Sequence, residues 1–266
     1  MDNVMKPSEM KPRNAPQTFE VPFDVIELPS EGKLYKEGSL AGKSSLEIQY
    51  LTAKEEDILT SPNLIQSGKL LDVLLKSVIK DKSVKPSELL LGDRNAIIIW
   101  LRATGYGEEY PVQMQCRHCG EKYIANFNLS TFEERKLTED FDVNGLFSFT
   151  FPTSKKTILY KLLAAQDEDD IGLMIEDRKK KTNTKIENTL TLKMKYMIKD
   201  VDGITDSGVI SQFVDTMSLR DTKAFRKKVY SMEPGLIMEQ NCKCSECNEF
   251  NLEVMPMRSN FFWPED

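Results

Sequence analysis

Two short cysteine clusters, Cys116-Arg117-His118-Cys119 and Cys244-Ser245-Glu246-Cys247, take four of the five cysteines in the chain and lie far apart along it. A two-residue spacer lets the backbone turn a tight knuckle with both sulfurs facing one point, and two such knuckles complete a tetrahedral four-thiolate zinc site. Gly120 follows the first pair and Asn248 the second, both residue types that tolerate the positive φ a chain needs on leaving a knuckle. Strand-like residues flank each pair, at 110–115 and 123–129 for the first and 236–240 and 250–255 for the second. Each half reads strand, knuckle, strand, which predicts a zinc ribbon cut in two by a long insertion, with Cys116, Cys119, Cys244 and Cys247 as the metal ligands. A redox pair or disulfides are the competing readings. A closed four-sulfur set leaves no position for substrate or activated water, so the zinc is expected to be structural. Cys242 is the leftover thiol, a substitute for Cys244 only with a looser spacer. His118, the sole histidine, falls at the tip of the first knuckle, where the flanking sulfurs are better placed than its imidazole.

A chain of 266 residues, 40% hydrophobic and 29% charged, can bury a substantial core. Residues 1–17 hold three prolines and no apolar periodicity, and read as a flexible arm with neither a secretory signal nor a transit peptide. No stretch approaches the roughly 18 consecutive apolar residues a membrane span needs. Paired thiols without a secretion signal point to a reducing cytoplasm. The net charge of -6 argues against broad binding to a phosphate backbone.

Residues 18–109 read as an α/β lobe. Residues 28–35, Leu-Pro-Ser-Glu-Gly-Lys-Leu-Tyr, form a fixed loop bounded by apolar side chains. Leu46, Ile48 and Tyr50 alternate with polar residues as in a half-buried strand, and Thr52 with Glu55 has the spacing of a capping box. One amphipathic helix is predicted near 64–80, with Leu71, Leu74, Leu75, Val78 and Ile79 facing the core. Asp93 is placed to cap another that carries Ile97, Ile98, Trp100 and Leu101 and stops at Gly105-Tyr106-Gly107. Ser130 with Glu133 suggests a further helix start, and Phe147, Phe149 and Phe151 alternate as a strand. Residues 153–234 are expected to be a helical insertion, with starts at Ser154, at 167–170 and at Ser218, and a turn at Asp202-Gly203. The split ribbon then comprises 110–152 and 235–266. Met232, Met238, Met255 and Met257 fill core by default, and Phe261-Phe262-Trp263-Pro264 is expected to pack back onto the ribbon. The predicted class is α+β, mainly helical, with the zinc ribbon split by a helical insertion.

A serine or cysteine nucleophile normally works with a histidine, and the one histidine sits in the knuckle. Phosphate-cradling loops and zinc-protease spacings are absent, so no catalytic residue is assigned and the chain is expected not to be an enzyme.

The order of these features resembles the baseplate hub assembly proteins of T-even-type contractile-tailed bacteriophages. The resemblance is carried by residues 28–35, by Leu51-Thr52-Ala53-Lys54-Glu55-Glu56, by Gly92-Asp93-Arg94 through Arg102 and Tyr106-Gly107, by the Cys116/Cys119 knuckle and by the aromatic tail. It implies a non-enzymatic role as chaperone or component of the hub, exercised in the infected host's cytoplasm or in the virion baseplate, with other hub proteins as partners. The alternative is a zinc-ribbon protein that binds nucleic acid or accompanies transcription; the acidic charge and the lack of a dense basic and aromatic face count against it.

Overall fold

The computed structural model describes residues 20–182, 188–257 and 260–262. The predicted arm at 1–17 and the tail residues Trp263 and Pro264 lie outside them. β1 (Phe23–Glu27) pairs antiparallel with β2 (Ser45–Gln49), and the loop between them carries the predicted fixed turn. α1 (Ala53–Leu59) opens where the capping box predicts, the Thr52 amide donating to the Glu55 carboxylate at 3.2 Å. The single helix expected at 64–80 is instead two, α2 (Pro62–Gln66) and α3 (Leu70–Val78). Gly68 adopts a φ of 68° between them, a conformation that ends a helix and that glycine reaches without a Cβ clash. The predicted stripe still faces inward from α3, with Leu74, Leu75, Val78 and Ile79 buried.

α4 (Leu91–Tyr106) starts two residues before Asp93, so Asp93 is not its cap. Its buried carboxylate instead accepts from the Ser30 amide at 2.9 Å, the Ser30 hydroxyl at 2.6 Å and the Tyr35 hydroxyl at 2.5 Å. Burial holds the Asp93 carboxyl above its ordinary pKa, with the Ser30 and Tyr35 bonds opposing the shift. The loop at 28–35 is thereby fastened to the first turn of α4. Two hairpins carry the cysteine pairs: β3 (Glu109–Gln115) with β4 (Lys122–Asn128), and, late in the chain, β10 (Glu239–Lys243) with β11 (Phe250–Val254). The helix suggested at Ser130 does not form. The Ser130 hydroxyl lies within donating distance of Asn128 Oδ1 at 2.7 Å and of the Glu108 carboxylate at 2.9 Å, and a 3-10 turn stands there.

Between the hairpins come β5 (Glu134–Arg135), β6 (Phe147–Thr150), β7 (Thr157–Tyr160), α5 (Ala165–Thr182), α6 (Thr189–Met197), β8 (Ile198–Val201), α7 (Ser207–Asp215), α8 (Leu219–Met232) and β9 (Gly235–Leu236). The expectation of a mainly helical chain is overturned. The described residues hold eight α-helices and eleven strands, about 38% helix against 23% strand, a mixed α+β architecture. The expected insertion contributes two strands of its own, because β6, β7 and β8 form a three-stranded antiparallel sheet. Nor do the cysteine hairpins join one ribbon sheet; each is a separate two-stranded sheet. No helix begins at Ser154, since its amide and that of Thr153 donate to the buried Asp221 carboxylate, at 3.0 and 2.7 Å.

Two buried clusters result. One gathers Leu28, Leu74, Ile98, Leu101 and the inner faces of both hairpins, and the other centres on Phe147, Phe151, Tyr160 and Phe225. Their seam includes a backbone crossing at Gly92 and Gly235, where a Cβ on Gly92 would stand 1.7 Å from the Pro234 carbonyl oxygen. Met232 and Met255 are buried, as core filling requires. Phe261 and Phe262 are buried too, edge-on to Tyr110 and Tyr106. Among the described residues, no helix is long and apolar enough to cross a membrane.

Candidate metal centre

β3 and β4 are joined by the turn that contains Cys116 and Cys119; β10 and β11 by the one that contains Cys244 and Cys247. The two turns repeat one pattern of bonds. The Cys116 amide donates to Glu121 O at 2.9 Å and the Gly120 amide returns to Cys116 O at 3.0 Å; the Cys244 amide donates to Glu249 O at 2.9 Å and the Asn248 amide to Cys244 O at 3.0 Å. Gly120 has a φ of 79° and Asn248 of 62°, the positive values expected of residues leaving a knuckle.

These turns bring all four sulfurs within 4.8 Å of one another. Cys116 and Cys247 stand 3.7 Å apart and Cys119 and Cys244 3.9 Å. A disulfide has a bond near 2 Å, and all five cysteines are free thiols. A regular tetrahedron with zinc–sulfur bonds of about 2.3 Å has edges near 3.8 Å, so the spacing fits a metal ion of that size. The thiols of Cys116, Cys119 and Cys247 differ in how readily they ionise. The Cys119 amide, and with it Asn251 and the His118 amide, holds the Cys116 thiol down to about 6. At Cys247 the Glu249 amide favours the thiolate but is outweighed by burial and by the other three sulfurs, which push it up to about 12. Cys119 is likewise raised, burial and the sulfurs of Cys116 and Cys244 overcoming the Glu121 amide. Four adjoining thiolates repel one another, and a divalent cation at their centre reverses that preference.

Cys242 lies outside the set. It is buried on β10 opposite Asn251, its sulfur 3.9 Å from the Asn126 carbonyl, and burial raises its pKa as for a small apolar side chain. His118 is exposed at the knuckle tip.

Three residues to which sequence reasoning gave no role support the cluster. Asn251 on β11 is buried; its amide donates to Cys116 Sγ at 3.4 Å while its oxygen accepts the Arg117 amide at 3.0 Å. One side chain of the second hairpin thus orients the knuckle of the first. Glu253, also buried, accepts from Tyr123 at 3.3 Å and pairs with Arg117 at 3.5 Å. The available signal was the order Asn251-Leu252-Glu253-Val254, whose polar residues take the inward phase of the strand. Arg102 is the third: fully buried, it donates to the carbonyls of Phe261 at 2.9 Å and Gly107 at 2.7 Å, tying the tail to α4 beside the hairpins.

Comparison with curated proteins and with solved structures gives no match. A family model described as the T4 bacteriophage base plate protein matches residues 22–263, a span that runs from the start of β1 to the aromatic tail and contains both cysteine pairs, and the chain therefore belongs to that family.

Proposed function

We propose that this baseplate-family protein is a non-enzymatic component or assembly factor of the baseplate hub that works through protein contacts in the host cytoplasm, with a structural zinc on Cys116, Cys119, Cys244 and Cys247. The observation that carries the contact role is the inverted phase of β11. Asn251 and Glu253 face inward at 2% and 4% exposure, while Phe250, Leu252 and Val254 face outward at 61%, 52% and 52%. A strand that turns its apolar side to water matches a surface that is buried in an assembly. The zinc reading is supported by thiolate softness and near-tetrahedral spacing, and four protein ligands favour a structural over a catalytic ion.

Native mass spectrometry of the purified chain, alone and with each baseplate hub protein of the same phage, tests this reading. The expected result is one zinc per chain and a defined complex with at least one hub protein. A chain that carries no zinc loses the metal assignment, and one that forms no complex with any hub protein loses the assembly role. Probing purified particles for the chain separates a lasting component from a transient chaperone, which leaves before the particle is complete.

A further inference from the structure

An open groove of about 780 Å³ lies away from the cysteines, between α6 and α8. Its floor is apolar, made by Leu91, Leu163, Met197, Phe225 and Val229, and its rim is basic, with Lys193, Lys223, Arg226 and Lys227. Lys193 is tied to Glu168 at 2.8 Å. Lys223, Arg226 and Lys227 are exposed and make no ion pair among the described residues. Other lysines nearby do find carboxylates: Lys195 pairs with Asp215 at 2.7 Å and Lys228 with Glu139 at 2.8 Å. In a chain of net charge -6, three cations without an ion pair among the described residues, on one wall of an apolar groove, are a local departure from that balance.

We propose that the groove between α6 and α8 is a docking site for an acidic amphipathic segment of a partner protein, whose apolar side chains enter the floor while its carboxylates meet Lys223, Arg226 and Lys227. The inference rests on the contact role proposed above and gives it a surface and a partner chemistry. Charge complementarity selects the acidic occupant, and the apolar floor selects a segment with interleaved apolar side chains. A nucleic acid strand would instead favour exposed aromatic rings along a continuous basic track. Here Phe225 is buried, and Tyr230 is the exposed ring in the groove lining.

The test uses the full-length protein and three fluorescent helical peptides, read by anisotropy. The first carries Leu at i, i+3, i+4 and i+7 spacing with Glu elsewhere, the second keeps the Leu pattern with Lys for Glu, and the third keeps Glu with Ser for Leu. The first is expected to bind and to weaken as ionic strength rises. Reversing the three cations together (Lys223→Glu, Arg226→Glu, Lys227→Glu) is expected to weaken it at least about tenfold, a difference of about 1.4 kcal/mol. The same reversal at the exposed Lys54, Lys69 and Lys122 should change it less than about twofold. Neutral Gln at the three groove positions should give an intermediate loss, which guards against a folding defect in the reversed variant. Equal binding to the reversed variant, equal binding of the Lys or Ser peptides, or no binding of the first peptide overturns the proposal. So does preferential binding of a single-stranded oligonucleotide, or a second copy of the chain filling the groove, seen as a dimer that the reversed variant lacks. No hub protein enters this assay, so its failure leaves the contact role standing; absence of hub complexes in the mass spectra would not alter the peptide result.

Discussion

Asn251 and Glu233 show how single side chains carry effects that their residue types do not announce. Asn251 holds Cys116 Sγ and the Arg117 amide together from the opposite hairpin, so its loss should loosen the thiolate cage without removing a ligand. Outer-shell partners of this kind typically contribute about 10–100-fold in metal affinity. Asn251→Leu is therefore expected to retain one metal per chain at saturation and to release it to a chelator at a concentration lower by about that factor. Unchanged release would deny Asn251 an orienting role. Glu233 lines the α6–α8 groove, where burial pushes its carboxyl up to about 7; Lys193 opposes the shift, Glu168 adds to it and Arg135 opposes it. A carboxyl raised above its unfolded value favours folding most below the unfolded pKa, and that advantage disappears as pH climbs through 7. Glu233→Gln, which stays neutral, should accordingly raise Tm more at pH 8 than at pH 5. Equal gains at both values would show that Glu233 is charged throughout. Neither role is legible from the sequence, because each depends on neighbours more than a turn of helix away.

At the scale of elements, the close approach of α4 to β9 depends on having no side chain at Gly92. A Cβ there meets backbone, the Pro234 oxygen at 1.7 Å, which cannot rotate aside as a side chain would. Gly92→Ala must separate α4 from β9 and is expected to cost at least about 3 kcal/mol in denaturant unfolding. Gly172 is the control. It lies exposed in α5 with nothing within 4 Å of a new Cβ, so Gly172→Ala should stabilise by about 0.5–1 kcal/mol. A cost below about 1 kcal/mol at Gly92 would mean that the crossing yields easily. Elements with a complete local signal were readable beforehand: the Thr52–Glu55 capping box, the Ser218 cap of α8, whose hydroxyl accepts the Asp221 amide at 3.1 Å, and the knuckle turns. β7 and β8 were not, because each is short and lacks the alternating phenylalanines that mark β6. Four residues give a strand only two repeats of its period, and β8 follows α6 directly at Ile198, so the apolar spacing from Leu190 to Ile198 reads as one helix. What ends α6 is the pairing of β8 with β7, a long-range contact that periodicity does not encode.

For the whole molecule, the sulfur cluster brings together two hairpins from distant points in the chain, and both hairpins supply buried side chains to the first cluster. Cys116, Tyr123, Cys244 and Met255 belong to it together with Leu74, Ile98 and the tail residue Phe261. The second cluster, around Tyr160 and Phe225, contains none of the four cysteines. Loss of the proposed metal should therefore propagate unevenly. Cys247→Ser leaves three cysteines at the site and chelator applied to the native chain leaves all four; in both cases no cation offsets the mutual repulsion of thiolates, which favours separation of the hairpins. The expected cost is about 4–5 kcal/mol or more, since loss of a structural metal ranks among the larger single-site effects. In hydrogen exchange, amides of β3, β4, β10 and β11 should lose protection first, those of α3 and α4 next, and those of β6 and β7 last. The spacing of the two cysteine pairs foretold a link between distant segments, but not that the chain between them would build a core with its own aromatic centre. Uniform loss of protection across both clusters would show instead that the Gly92–Gly235 seam couples them into one cooperative unit, with metal, hairpins and the helical face of the α6–α8 groove folding and failing together.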